Sequence, residues 1–194
     1  MDFSCKFKER GCQHVATPSE LQDHMGNCLY GTVECPFWTC KELLPKGDVV
    51  NHLEHDHGSL ITNPITPNGE VKISWPLNKR LQTYCFPPFV CQIDGKTFLL
   101  NCIVRDHVCM FWVSMLGAEN DAEKYRANMV ANSKGGSPIT ISFENVQVYS
   151  IHTRKEDVLE AARGILEVDK KMVDKMSEHN GAISMNIKNL VVHK

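Results

Sequence analysis

Residues 5–28 read CKFKERGCQHVATPSELQDHMGNC, with three cysteines and two histidines in 24 residues. Cys5 is followed by six residues and Cys12, then by eleven and His24, then by three and Cys28. The order returns further on: Cys35, four residues, Cys40, eleven residues, His52, four residues, His57. An eleven-residue gap repeated between the same ligand types marks a tandem repeat. Thiolate and imidazole are the donors that fill closed, four-coordinate zinc sites.

The local sequence supplies what such a site needs. Cys5 and Cys12 face each other across a hairpin that turns near Gly11. Thr17 can cap a helix, Pro18 suits its first position, and Glu20 can complete a capping box. A helix from Pro18 places His24 and Cys28 at i and i+4, on one face. A hairpin pair and a helix pair then meet at one ion. The second copy does the same with Cys35 and Cys40, then His52 and His57. The i, i+5 spacing of that last pair requires the helix to loosen at its end, and His55 competes with His57 for the fourth position. The reading is two structural Zn²⁺, one in each set. A catalytic zinc keeps an open position, and neither set leaves one. A disulfide framework would leave the histidines without a role.

The remaining composition agrees with that reading. The 194 residues carry nine cysteines, five of them in the first 40 positions and four between 85 and 109. An odd count without an export signal points to a reducing compartment, the cytoplasm or also the nucleus. No run approaches the length of a membrane span. The formal charge of −2 falls to about −3 once five thiolates hold two Zn²⁺, which argues against nucleic acid as a partner. No paired carboxylates and no nucleophile–base arrangement stand out, so the chain is expected to be non-catalytic by itself.

Three stretches follow from composition: metal-binding repeats over 1–58, a Pro- and Asn-Gly-bearing linker over 59–69, and a strand-rich domain over 70–194. In TFLLNCIVRD, Phe98, Leu100, Cys102 and Val104 share one face. HVCMFWVSML (107–116) is apolar on both faces, as a covered central strand would be. Tyr125, Ala127 and Met129 alternate with polar residues. Ile139, Ile141 and Phe143 run in phase, and Val146 and Val148 resume after a slip near Asn145, where a bulge or turn is expected. Ile183, Met185 and Ile187 close the series. Helical patterns lie at EDVLEAARGIL and DKKMVDKMSE. Many strands with few helices give a mainly β chain, a β-sandwich.

The tandem order Cys-x6-Cys-x11-His-x3-Cys, then Cys-x4-Cys-x11-His-x4-His, resembles the seven-in-absentia (Sina/Siah) family, and HLEHDHGSL resembles the end of that family's second finger. Residues 150–190, SIHTRKEDVLEAARGILEVDKKMVDKMSEHNGAISMNIKNL, resemble the end of its TRAF-like domain. The resemblance implies two zinc fingers on an eight-stranded antiparallel β-sandwich with one or two short helices, and a homodimer. It implies Cys5, Cys12, His24, Cys28, Cys35, Cys40, His52 and His57 as ligands. It also implies capture of protein or peptide partners by β-strand addition, as the substrate-recognition part of a ubiquitin ligase. The family's RING does not precede Cys5 here, which leaves a ligase fragment or a stand-alone adaptor unrelated to ubiquitin transfer. Two departures mark this chain. The gap between Cys35 and Cys40 is shorter than the family's, and Phe86-Pro87-Pro88-Phe89 stands in the peptide-binding region. Trp75, Phe86 and Phe89 are candidate groove residues, with core packing as the other role for these aromatics.

Overall fold

The computed structural model describes residues 1–59, 61–62, 70–73, 84–132, 140–161, 164–169, 171 and 182–189. Two hairpin–helix units come first. In one, β1 (Phe3–Ser4) pairs antiparallel with β2 (Val15–Ala16), ahead of α1 (Pro18–Asn27). In the other, β3 (Thr32–Glu34) pairs with β4 (Leu43–Pro45), ahead of α2 (Val49–His57). The strands that follow are β5 (Ile61–Thr62), β6 (Glu70–Ile73), β7 (Tyr84–Ile93), β8 (Lys96–Arg105) and β9 (Val108–Met115). After these come β10 (Tyr125–Asn132), β11 (Thr140–Ser150), β12 (Leu166–Asp169) and β13 (Ala182–Asn189). Two short helices interrupt them, α3 (Glu119–Ala122) and α4 (Lys155–Ala161). No helix among the described residues is long and apolar enough to cross a membrane.

The ladder runs β5-β7-β8-β9-β11-β10-β13-β6, with β12 also beside β9. It folds over at β11. Residues from Thr140 to Gln147 pair antiparallel with β10, and Val148–Ser150 pair in parallel with β9. One layer therefore holds β5, β7, β8, β9 and β12, and the other holds β10, β13 and β6. Within this mainly antiparallel framework the β5–β7 and β9–β11 pairings are parallel. Ile61 and Thr62, in the stretch read as a linker, supply the short strand that pairs with Val90 and Cys91.

The period-two pattern explains the core. Phe98, Leu100, Cys102 and Val104 from β8 and Cys109, Phe111, Val113 and Met115 from β9 point inward. There they meet Ala127 and Met129 of β10 and Val146 and Val148 of β11. The phase slip is a bulge: Ala127 pairs with Val146, but Met129 pairs with Phe143. Asn145 takes a left-handed φ of 59°, and its amide donates to Asn128 Oδ1 at 2.9 Å. Asn tolerates that conformation, and the bond replaces a lost ladder contact. The helix expected around Met172, Val173 and Met176, the positions Leu190 to Val192 and Trp75 lie outside the described residues.

The outer face of the first layer is covered within the chain. Val90 and Leu99 join one cluster with Val33, Cys35, Leu44, Val49 and Leu53 of the second hairpin–helix unit. Ile103, Trp112 and Tyr149 pack with Val158 of α4, with Trp38, Leu159 and Ile165 partly buried beside them. This accounts for the two-sided apolar strand at 107–116 without a second copy of the chain.

Polar contacts pin the first unit to the sandwich. At the end of α1, Asn27 Oδ1 accepts the Ala118 amide at 3.0 Å, and its Nδ2 donates to Asp121 at 2.8 Å. His152 Nε2 donates to the Gly26 carbonyl at 3.1 Å. Gly26 permits this approach, because a Cβ there would lie 2.6 Å from the Ala118 Cβ. On the second unit, Lys155 Nζ donates to the Phe37 carbonyl at 3.0 Å and to Glu34 at 3.4 Å.

Candidate metal centres

The first centre is assembled by a hairpin and a helix. Cys5 and Cys12 are held across the hairpin: the Cys5 amide donates to His14 O at 2.9 Å and the Cys12 amide to Phe7 O at 3.2 Å. Between them the chain turns through Lys8–Arg10 and a left-handed Gly11 with φ 108°, a conformation that favours glycine. At the start of α1, Glu20 accepts the Thr17 amide at 3.0 Å and the Thr17 hydroxyl at 2.6 Å. Those bonds hold the Glu20 carboxyl below its ordinary pKa. The ten-residue helix delivers His24 from its last turn and Cys28 from its C-terminal cap.

The second centre repeats the plan with a tighter turn. The Cys35 amide donates to Glu42 O at 2.8 Å, and the Cys40 amide donates to Phe37 O at 3.1 Å. His52 and His57 both come from α2. The helix ends at Gly58, left-handed at φ 65°, whose amide returns to Leu53 O, as does the Ser59 amide at 2.9 Å. This widened final turn brings His57 to the same point as His52 despite the five-residue spacing. His55 is exposed and its Nδ1 donates to Asn51 O at 2.9 Å, away from the cluster.

In each set one ligand atom per residue lies within 4.8 Å of all the others. Zinc–sulfur bonds of about 2.3 Å and zinc–nitrogen bonds of about 2.0–2.1 Å fix the edges of a tetrahedron. The edges come to about 3.8 Å for S···S, about 3.6 Å for S···N and about 3.3 Å for N···N. Cys5 and Cys28 sulfurs are 3.9 Å apart, and Cys12 Sγ is 3.4 Å from His24 Nε2. Cys35 Sγ is 3.5 Å from His57 Nε2, Cys40 Sγ is 3.6 Å from His52 Nε2, and the two imidazole nitrogens are 3.0 Å apart. A disulfide would need about 2.05 Å, and all nine cysteines are free. The two clusters fit two structural zinc ions. Among the described residues no other group of three or more such side chains converges.

The surroundings suit closed sites. His52 presents Nε2 to the cluster, and its Nδ1 lies 2.7 Å from Asp56 and 3.8 Å from Glu42. A carboxylate in that place fixes the tautomer and strengthens the imidazole as a ligand. His14 stacks on His24 with ring centres 4.0 Å apart, and Phe37 lies 4.5 Å from His57. Burial pushes the Cys35 thiol up to about 12 and the Cys28 thiol upward. A hydrogen bond from the His14 backbone draws Cys12 down. Burial also lowers His24 and His57, which keeps their imidazoles neutral as metal donors must be. Metal uptake therefore expels thiol protons.

The other cysteines do not share this chemistry. Cys91, Cys102 and Cys109 are buried in strands. Desolvation pushes Cys91 to about 12, Cys85 to about 11 and Cys102 well above its ordinary value. They pack as small apolar side chains. Phe89 is 6% exposed and belongs to the core, and Phe86 packs partly buried against it. The prolines between them coincide with a register shift, since Phe86 pairs with Cys102 and Phe89 with Leu100. Sequence reading missed the carboxylate behind His52 and the contacts at Gly26, Asn27 and Lys155. Only Asp56, one turn after His52, carried a local signal.

No curated protein matches the chain. Residues 1–66 match the family model described as Sina, zinc finger. Both Cys/His clusters fall within that matched stretch, which is similar to the Sina zinc-finger region.

Proposed function

We propose that the chain is a zinc-stabilised protein-interaction module of the Sina/Siah substrate-recognition kind. Its fingers and sandwich act together to hold partner proteins, and the chain is non-catalytic by itself. The observation that carries this reading is that both clusters spend all four positions on protein donors. Metal held that way shapes a surface and activates no water. The second finger also buries Leu53 and Val49 against Val90 and Leu99, so that finger and the outer face of the sandwich share one apolar cluster.

Extended peptides are the proposed ligands, captured by β-strand addition, and a homodimer formed through the sandwich is the proposed assembly. Backbone hydrogen bonds supply affinity in such capture, and side-chain pockets supply selectivity. The cytoplasm or nucleus is the proposed setting, with ubiquitin transfer to the captured partner as the pathway. The test uses fluorescence anisotropy with extended proline-containing peptides, each compared with a copy N-methylated at alternate amides. Saturable binding lost on N-methylation supports strand addition, and binding indifferent to N-methylation refutes it. Sedimentation at micromolar concentration reads the assembly: a species of twice 21.9 kDa supports the dimer and a strict monomer refutes it.

A further inference from the structure

The Lys46 side chain is fully buried, at 1% exposure. A buried ammonium is tolerated when opposite charge or hydrogen bonds compensate it. Its Nζ donates to the Gly26 carbonyl. Gly26 lies in α1 between the ligands His24 and Cys28, so the ammonium is held against the helix end that carries both. Yet Lys46 belongs to the second finger, in the turn Lys46–Asp48 between β4 and α2. Its backbone is fastened to the first finger's exit: the Lys46 amide donates to Gly31 O at 2.7 Å and the Gly47 amide to Leu29 O at 2.9 Å. Lys46 thus brackets Cys28 from both sides.

The two donor sets differ in charge. Two positive charges on zinc against the three thiolates of Cys5, Cys12 and Cys28 leave one net negative charge. The set with two thiolates is neutral. A buried cation sits beside the centre that needs one. We propose that Lys46 is the counter-charge of the first zinc centre, a positioning residue lent by the second finger that makes loading of the first centre depend on the fold of the second. This rests on the structural-zinc reading above.

The test titrates Co²⁺ into metal-free full-length chain and follows thiolate-to-cobalt absorption, which separates a three-thiolate centre from a two-thiolate one. Zn²⁺ competition then gives the affinity of each. Lys46→Met is expected to weaken the three-thiolate centre by about 10-fold or more and to leave the other unchanged. Lys46→Arg is expected to retain most of the affinity. Cys28→His neutralises the centre, so Lys46→Met in that background is expected to cost little. If Lys46→Met alone does not fold, Cys28→His should restore it. Equal weakening of both centres, no weakening, equal losses for Arg and Met, or no restoration overturns the proposal. A wild-type chain that shows no three-thiolate cobalt spectrum overturns the zinc reading itself, which separates the two failures.

Discussion

Gly26→Ala tests whether the first finger is held against the sandwich. In a helix interior that change favours folding by about 1 kcal/mol, so propensity alone predicts a gain. The junction predicts the opposite. The new Cβ would stand 2.6 Å from the Ala118 Cβ and 3.4 Å from its Cα, whereas carbon atoms rest at about 3.5–4.0 Å. The partner is a backbone-fixed methyl that cannot rotate away, so α1 and the 117–119 segment must part by about 1 Å. That movement stretches the bonds at 2.8, 3.0 and 3.1 Å from Asn27 to Asp121, from Ala118 to Asn27 and from His152 to Gly26. At about 0.5–1.5 kcal/mol each, their loss outweighs the helix gain and leaves a net destabilisation of about 1–3 kcal/mol. Urea unfolding measures the total, and hydrogen exchange at the Ala118 amide measures the junction directly. Ala118→Gly removes the clashing methyl and should restore most of the loss. Unchanged or increased stability of Gly26→Ala, slow exchange at Ala118, or no rescue would refute the reasoning.

Chelation should melt residues 1–58 while the sandwich survives, because its inner core contains no finger residue; far-UV circular dichroism should keep its β signal as dye binding rises on the uncovered Val90 and Leu99 face. Asp56→Asn should weaken zinc at the second centre by about 10–100-fold and spare the first, as read by chelator competition; equal affinities at both centres would count against the His52–Asp56 contact. Asp121 lies below its ordinary pKa, chiefly because Lys124 donates to it, with Asn27 adding to the effect. A carboxyl depressed in the folded state stabilises it above the unfolded pKa, and that stability fades as pH falls through the folded value. Wild type should therefore exceed Asp121→Asn in stability at pH 7 and lose the advantage as pH falls below the ordinary aspartate value of 3.8; a pH-independent difference would refute this.

Much of the molecule is legible because its signals are local. The ligand spacing and the Thr17–Glu20 cap each act within one turn or hairpin, so the clusters can be read off before any tertiary contact is known. The inward faces of β8 and β9 follow from alternation alone, as does the bulge at Asn145. What escaped depends on long-range approach. Gly26 reads as an ordinary weak spot in a helix, and only the nearness of Ala118 gives it a reason. Lys46 reads as a surface lysine in a turn. HVCMFWVSML shows that both of its faces need cover but not that Trp38 and α4 supply it. Phe89 illustrates the limit most sharply: an aromatic beside two prolines suits a groove or a core, and only the fold shows that it is buried.

β11 passes from one layer of the sandwich to the other within eleven residues. A covalent spine of this kind forbids the two leaves from peeling apart like the covers of a book. Freeing either leaf means drawing the same strand out of the β10 ladder and the β9 ladder together. Mechanical or thermal opening should accordingly run to completion once begun, with no half-open form on which a stray strand could settle.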